Sequence, residues 1–325
     1  MTIDGLTVHI GDCRESMRHM PEQSVQTCVT SPPYFGLRDY GHDGQIGLEL
    51  TPDEFVAALV DVFREVRRVL RDDGTVWLNL GDSYSTHAAG KVADPMAKST
   101  LGGVRTQSVA NESSRARGDY YRTPGGLPEK NLLGIPWRVA LALQADGWYL
   151  RQDLIWHKPN PMPESVRDRC TKAHEYIFLL TKSARYVFDS VAVRETVSAA
   201  TLADGRRERG KRGTKGEYAA VDGNCGFSED GMRNKRSVWT VNTKPYSGAH
   251  FATFPPDLIE PCILAGSKPG DVVLDPFGGS GTTAGVALKH GRRAVLCELN
   301  PEYAALIPDR VADVHPHLNQ QRLFA

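Results

Sequence analysis

With 325 residues, 40% of them apolar, the chain is long enough for one large α/β domain or two small ones and can bury a substantial core. No apolar run approaches the roughly 18 to 20 residues that span a membrane, and Met1-Thr2-Ile3-Asp4-Gly5 lacks the basic-then-apolar pattern of a signal peptide, so a cytoplasmic chain without a membrane partner is expected. Net charge is zero, and the cysteines (Cys13, Cys28, Cys170, Cys225, Cys262, Cys297) have neither two-residue spacing nor a neighbouring histidine pair, which argues against a disulfide framework or any metal site.

In chain order, Val25 to Thr30 reads as a short strand. Thr51-Pro52-Asp53-Glu54 is a helix start with a capping box, and Phe55, Ala58, Leu59, Val62, Phe63, Val66, Val69 and Leu70 share one apolar face. Asp72-Asp73-Gly74 is expected to end that helix before a buried strand, Thr75 to Leu80. Then follow a helix from Pro136 to about Ala145 and strands Tyr149 to Trp156 and Tyr176 to Thr181. The last third reads as helix Leu258 to Ala265, strand Val272 to Leu274, helix Thr282 to His290, strand Ala294 to Leu299, and a final helix from Pro301. This alternation predicts an α/β fold with a largely parallel sheet. Residues 85–131 and 195–237 break the pattern and read as long loops or insertions. In the second, Arg206, Arg207, Arg209, Lys211, Arg212 and Lys215 face one acid, Glu208, which suits either a solvated loop or a phosphate-binding segment.

Two motifs carry chemistry. Asp275-Pro276-Phe277-Gly278-Gly279-Ser280-Gly281-Thr282-Thr283 lies between strand and helix, where glycines let backbone approach a nucleotide-like ligand. Gly279, Gly281 and Ala284 satisfy a G-x-G-x-x-A pattern, and Glu298, at the tip of the next strand, can accept both hydroxyls of a ribose. No lysine follows the final glycine, which excludes a Walker-type phosphate loop. A nicotinamide cofactor is the competing ligand. Asp275 would repel its pyrophosphate yet attract the ammonium group of a methionine moiety, which favours S-adenosylmethionine.

Ser31-Pro32-Pro33-Tyr34 follows the first predicted strand at its C-terminal end, where open α/β sheets place ligands. Each proline fixes its own φ and restrains the residue before it, so the Ser31 hydroxyl and Pro32 carbonyl are rigid acceptors. They can hold the hydrogens of an exocyclic amine and favour a more tetrahedral, nucleophilic nitrogen. Tyr34 offers a face for a flat base, worth about 1 to 3 kcal/mol of stacking.

Together these residues resemble the DNA amino-methyltransferases that methylate cytosine at N4 or adenine at N6. The catalytic motif of that family reads Ser/Asp/Asn-Pro-Pro-Tyr/Phe, and its donor loop Asp-Pro-Phe-x-Gly-Ser-Gly-Thr-Thr. Clamp first and loop last is similar to the permuted subgroup called the beta class. The resemblance covers most of the chain outside the two insertions. It implies a doubly wound, Rossmann-like sheet in circularly permuted motif order, S-adenosyl-L-methionine over its C-terminal edge, and a target base flipped out of the duplex. It also implies a single domain over 1–325: a catalytic half (1–84 and 132–194), a loop insertion (85–131), a target-recognition insertion (195–237) and a donor-binding half (238–325).

Residue by residue, the resemblance adds Asp12 at the adenine of the donor, with His250 and Phe251 bordering its methionine part beside Asp275, Pro276, Phe277, Gly279, Gly281, Thr282 and Glu298. Leu154-Ile155-Trp156-His157-Lys158-Pro159 resembles a stretch near the target base, and Asn79-Leu80-Gly81-Asp82 recurs after the second catalytic strand. Lys158, Arg206, Arg207, Arg209, Lys211 and Arg212 become candidate DNA contacts. Residues 85–131, with Arg105, Arg115, Arg117 and Arg122, either close over the flipped base or are disordered.

Serine in the first clamp position accompanies N4-cytosine methylation in this family, and Asp or Asn accompanies N6-adenine; the chemistry of a hydroxyl alone does not separate the two bases. The expected partners are double-stranded DNA and a cognate restriction endonuclease, with the chain a monomer or homodimer. RNA or protein amine methylation, a nicotinamide-dependent oxidoreductase and a DNA-binding protein without catalysis are the alternatives. Pro261-Cys262 resembles the nucleophile of carbon-5 cytosine methyltransferases, but Cys262 falls inside an apolar helical stretch and reads as core.

Overall fold

The computed structural model describes residues 3–37, 39, 41–42, 44–85, 127–198, 231–244 and 254–316. Its strands are β1 (Leu6–Ile10), β2 (Val25–Thr30), β3 (Leu70–Leu80), β4 (Tyr149–His157), β5 (His174–Thr181), β6 (Glu195–Thr196), β7 (Met232–Arg233), β8 (Val238–Thr240), β9 (Val272–Asp275) and β10 (Arg293–Glu298). The helices are α1 (Cys13–Arg18), α2 (Pro52–Val69), α3 (Ile135–Ala145), α4 (Pro256–Gly266), α5 (Thr282–Lys289), α6 (Pro301–Ala304) and α7 (Ile307–Val314).

An eight-stranded sheet runs in the order β1-β10-β9-β2-β3-β5-β4-β8. Only β5 opposes its neighbours; every other described pairing in this sheet is parallel, as the alternating pattern predicted. Helices cover both faces, so the central strands are buried twice over: all six residues of β2 are buried. Cys28 faces one core with Phe55, Leu59, Phe63 and Val66 of α2, Leu143 of α3 and Met17 of α1. Val29, next in sequence, faces the other, with Leu258 and Ile263 of α4, Ala287 of α5 and Val311 of α7. Cys262 belongs to that second core, 1% exposed, and burial pushes its thiol pKa up, which leaves no nucleophile there.

The sheet contains a point where the chain changes direction. From β2 it proceeds outward to β3, whereas from β9 it proceeds the other way, to β10, beside which the N-terminal β1 forms the edge. The crevice above the adjacent ends of β2 and β9 is therefore a topological switch point, where open α/β sheets bind ligands.

Several expectations need correction. The helix ends earlier than Asp72-Asp73-Gly74: α2 stops at Val69, Leu70 is already extended and paired with Val25 while its N–H still donates to Val66, and residues 71–74 bulge out of register before pairing with β2 resumes at Thr75. A Cβ on Gly74 would lie 2.5 Å from the Leu70 side chain and 2.9 Å from the Gln26 carbonyl, so this glycine answers a packing demand inside the strand. β1 and α1 were not anticipated at all. The ends of the second insertion are not wholly irregular, because β6 and β7 pair as a short antiparallel ribbon. β8 pairs with β4 at the edge far from β9 and β10, although the boundary expected at 238 assigns it to the donor-binding half. Among the described residues no helix is long and apolar enough to cross a membrane, and no group of His, Cys, Asp or Glu is arranged to hold a metal.

Candidate active site

The two motifs meet at the switch point through side chains. Thr30, the last residue of β2, donates its hydroxyl to Asp275 Oδ1 at 2.6 Å, Thr283 at the start of α5 donates to Oδ2 at 2.6 Å, and the Phe277 N–H donates to Oδ1 at 3.0 Å. These use three of the roughly four acceptor positions of a carboxylate. Asp275 is 2% exposed, and this burial pushes its pKa up to about 6 against the opposing effect of the three donors.

The loop that follows is built by its glycines. Gly279 and Gly281 sit at φ of 51° and 94°, and a Cβ on Gly281 would lie 2.9 Å from Ile307 of α7. Glu298, at the tip of β10, accepts from the Gly279 N–H at 2.7 Å and the Asn300 N–H at 2.8 Å. Burial raises its pKa while these N–H groups oppose the rise, and each oxygen keeps a lone pair for a further donor. Asp12 caps α1, accepting from the Arg14 N–H at 2.7 Å, and the Arg14 guanidinium holds its carboxyl below the usual range. Asp12 also lines the cavity, so capping α1 does not remove it from the site.

Across the crevice, the Tyr34 hydroxyl donates to Glu175 Oε2 at 2.7 Å. The Tyr34 ring lies against Gly81, where a Cβ would come within 2.5 Å of Cε2, so the glycine of Asn79-Leu80-Gly81-Asp82 makes room for the clamp. Glu175 also accepts from Asn79 Nδ2 at 3.2 Å and pairs with the Lys158 ammonium, which rests 4.1 Å from the centre of the Trp156 ring. Trp156 is both core and wall: it is 4% exposed, donates Nε1 to the Val241 carbonyl at 2.8 Å, and lines the cavity. Lys158 stands in that wall within an ion pair, its side chain 17% exposed.

The cavity so formed measures about 700 Å³, ample for a nucleoside-sized ligand and a second flat group. Clamp residues 31–34 line one side, and Asp275, Pro276, Phe277, Gly279, Thr282 and Glu298 the other. Gly281 sets the loop geometry behind them. The polar groups fit S-adenosylmethionine: Glu298 can accept a ribose diol, Asp275 supplies negative charge for an ammonium, and the loop 275–283 contains no basic residue for a pyrophosphate.

Sequence reasoning missed Thr30, Thr283, Glu175 and the segment 36–47, of which Leu37, His42, Gly44, Gln45 and Ile46 reach the cavity. Its signal was glycine density: Gly36, Gly41, Gly44 and Gly47 all have positive φ, and the Gly36 N–H closes the loop on the Gly47 carbonyl at 2.8 Å. His250, Phe251, Arg206, Arg207, Arg209, Lys211 and Arg212 lie outside the described residues. Phe254, just beyond the first two, borders the cavity.

A doubly wound sheet with a rigid amine clamp and a donor loop at one switch point defines a methyltransferase acting on an amino group. The model of a family described as DNA methylase, covering N6- and N4-methyltransferases, matches residues 25–309, and the chain belongs to this family of S-adenosylmethionine-dependent DNA amino-methyltransferases. Type II methyltransferase M.Cfr9I of Citrobacter freundii is 46% identical over 313 residues, 96% of this chain and 89% of that protein. M.XycI of Xanthomonas campestris pv. cyanopsidis is 47% identical with the same coverage. Among solved structures, a DNA modification methylase from Thermus thermophilus, TTHA0409, in complex with S-adenosyl-L-methionine aligns with a TM-score of 0.55 at 25% identity, covering 95% of each chain. PvuII DNA methyltransferase, described as cytosine-N4-specific, shares the fold at a TM-score of 0.60 and 18% identity, over 98% of this chain and 93% of its own.

Proposed function

We propose that this enzyme methylates the N4 amine of a flipped cytosine in double-stranded DNA. The observation that carries the proposal is the Thr30–Asp275 bond, which holds the amine clamp and the donor loop over one cavity. S-adenosylmethionine supplies an electrophilic methyl group. The chain does the rest: the Ser31 hydroxyl and Pro32 carbonyl hold the amine hydrogens, and Tyr34 carries the ring. Such positioning can contribute roughly 7 to 11 kcal/mol to the barrier reduction. The cytosine assignment rests on Ser31, as a family habit; adenine N6 is the second reading. Duplex DNA incubated with labelled donor and digested to nucleosides decides between them. N4-methylcytosine is expected, N6-methyladenine would overturn the choice of base, and no labelled base would overturn the proposal.

Glu175 supports the clamp as a positioning residue, since it fixes both the Tyr34 hydroxyl and the Lys158 ammonium. Glu175→Ala should lower kcat by about tenfold or more with donor affinity intact, and Glu175→Gln, which can still accept from Tyr34, should fall between. In a double-mutant cycle with Tyr34→Phe the losses should be less than additive; strict additivity would show that the two residues act independently.

The basic run in 195–237 is proposed to grip phosphate. Replacing Arg206, Arg207 and Arg209 by alanine should weaken DNA binding and flatten its salt dependence by a slope of roughly 0.9 per lost phosphate contact; an unchanged slope would sink the idea. The Type II names of the relatives support a role beside a cognate restriction endonuclease. The enzyme is proposed to act in the cytoplasm as a monomer or homodimer.

A further inference from the structure

Past Lys158 the chain reads Lys158-Pro159-Asn160-Pro161-Met162-Pro163, with proline at every second position. Each proline fixes its own φ, and each biases the residue before it away from the helical region toward an extended conformation, so Asn160 and Met162 are braced on both sides and Lys158 on one. Two further sets of contacts anchor this segment. The Lys158 N–H donates to the Ala173 carbonyl at 2.8 Å, closing the base of the β4–β5 connection. Asn160 grips the segment after β8 from both sides of its amide: the Thr243 N–H donates to Oδ1 at 3.0 Å, and Nδ2 donates to the Thr243 carbonyl at 3.2 Å.

On this rigid mount Met162 projects outward. It is 84% exposed, more than any other large apolar residue described, yet it also lines the cavity beside Trp156, Lys158 and Glu175. An exposed apolar side chain is ordinary on a surface. One fixed between prolines at the mouth of a base pocket is placed to meet whatever delivers the base. Extruding a nucleotide leaves a hole between its neighbours in the stack, and proteins that open DNA fill such gaps with apolar wedges, methionine among them. A thioether suits the task because it is long, slender and polarisable enough to lie against aromatic faces.

We propose that Met162 enters the duplex at the position vacated by the target base and holds the flipped state open. This rests on the DNA-methyltransferase reading of the same cavity. It assigns a partner, the interior of the base stack, to a residue that touches neither the donor nor the reacting amine.

The test compares Met162→Ala and Met162→Leu with the wild-type enzyme on two duplexes that carry the target sequence mapped by single-molecule sequencing of methylated DNA. One duplex is fully matched; in the other the base opposite the target is mismatched, so that extrusion is easier. On the matched duplex Met162→Ala should lose about tenfold or more in kcat/KM, and most of the loss should disappear on the mismatched one, while Met162→Leu stays near wild type. Donor affinity by calorimetry should be unchanged, which shows that the variant is folded. Equal losses on both duplexes, or no loss on the matched one, would overturn the wedge while wild-type transfer upholds the reading beneath it. Absence of transfer by the wild type on both would overturn the two together.

Discussion

Ser31→Ala is expected to lower kcat by about 100- to 1,000-fold, the usual cost of removing one preorganised polar partner at a reacting centre. The loss should be confined to turnover. Ser31 follows β2 on the clamp side of the switch point, whereas the residues proposed to hold the donor lie mainly on β9, β10 and their loops, so calorimetry should find donor affinity unchanged. The prolines behind Ser31 make the effect sharp, because a rigid backbone cannot bring another acceptor into the gap. Ser31→Thr retains a hydroxyl and should recover part of the activity. Full turnover by the alanine variant would show that the amine is held elsewhere.

Asp275→Asn should weaken donor binding by about tenfold or more at pH 8, the consequence of removing a buried negative charge opposite an ammonium. The pH dependence gives a stricter measure. Burial lifts the Asp275 pKa from 3.8 to about 6, so its charge, and the attraction it provides, is present above that value and is lost as pH falls through it. Donor affinity in the wild type should therefore decline below pH about 6, and the asparagine variant should not show that decline. For stability the sign is opposite. Between the ordinary and the raised pKa the folded state holds a proton that the unfolded chain has released, so stability falls as pH rises across that window. The variant should abolish this fall as well. Wild-type affinity that stays flat from pH 5 to pH 8 would remove Asp275 from the ammonium site.

Much of this architecture is legible in the sequence because the informative residues act locally. Thr51 and Glu54 announce α2 with a capping box, and the structure contains both of its hydrogen bonds. The clamp and the donor loop declare themselves by proline and glycine spacing. What stays hidden depends on distant partners. β1 has five residues and, among the described residues, borders only β10, and α1 has six, so neither builds a long periodic pattern. The end of α2 before Asp72-Asp73-Gly74 is hidden because local composition does not reveal that Leu70 is already paired to Val25. Glu175 looks like an ordinary strand residue until Tyr34, Asn79 and Lys158 converge on it from three other places in the chain. Lys158 shows the same limit: its charge is visible in the sequence, but its burial against Trp156 is not.

The strand order has a consequence for synthesis. Among the described residues β1 pairs with β10 alone and one edge of β2 pairs only with β9, so these two strands wait for partners that begin at Val272. A growing chain short of that residue presents unpaired strand edges, which are templates for aggregation, and lacks half of the crevice that binds its ligands. Methylating capacity thus waits for the segment from Val272 onward, and a product terminated before it has none.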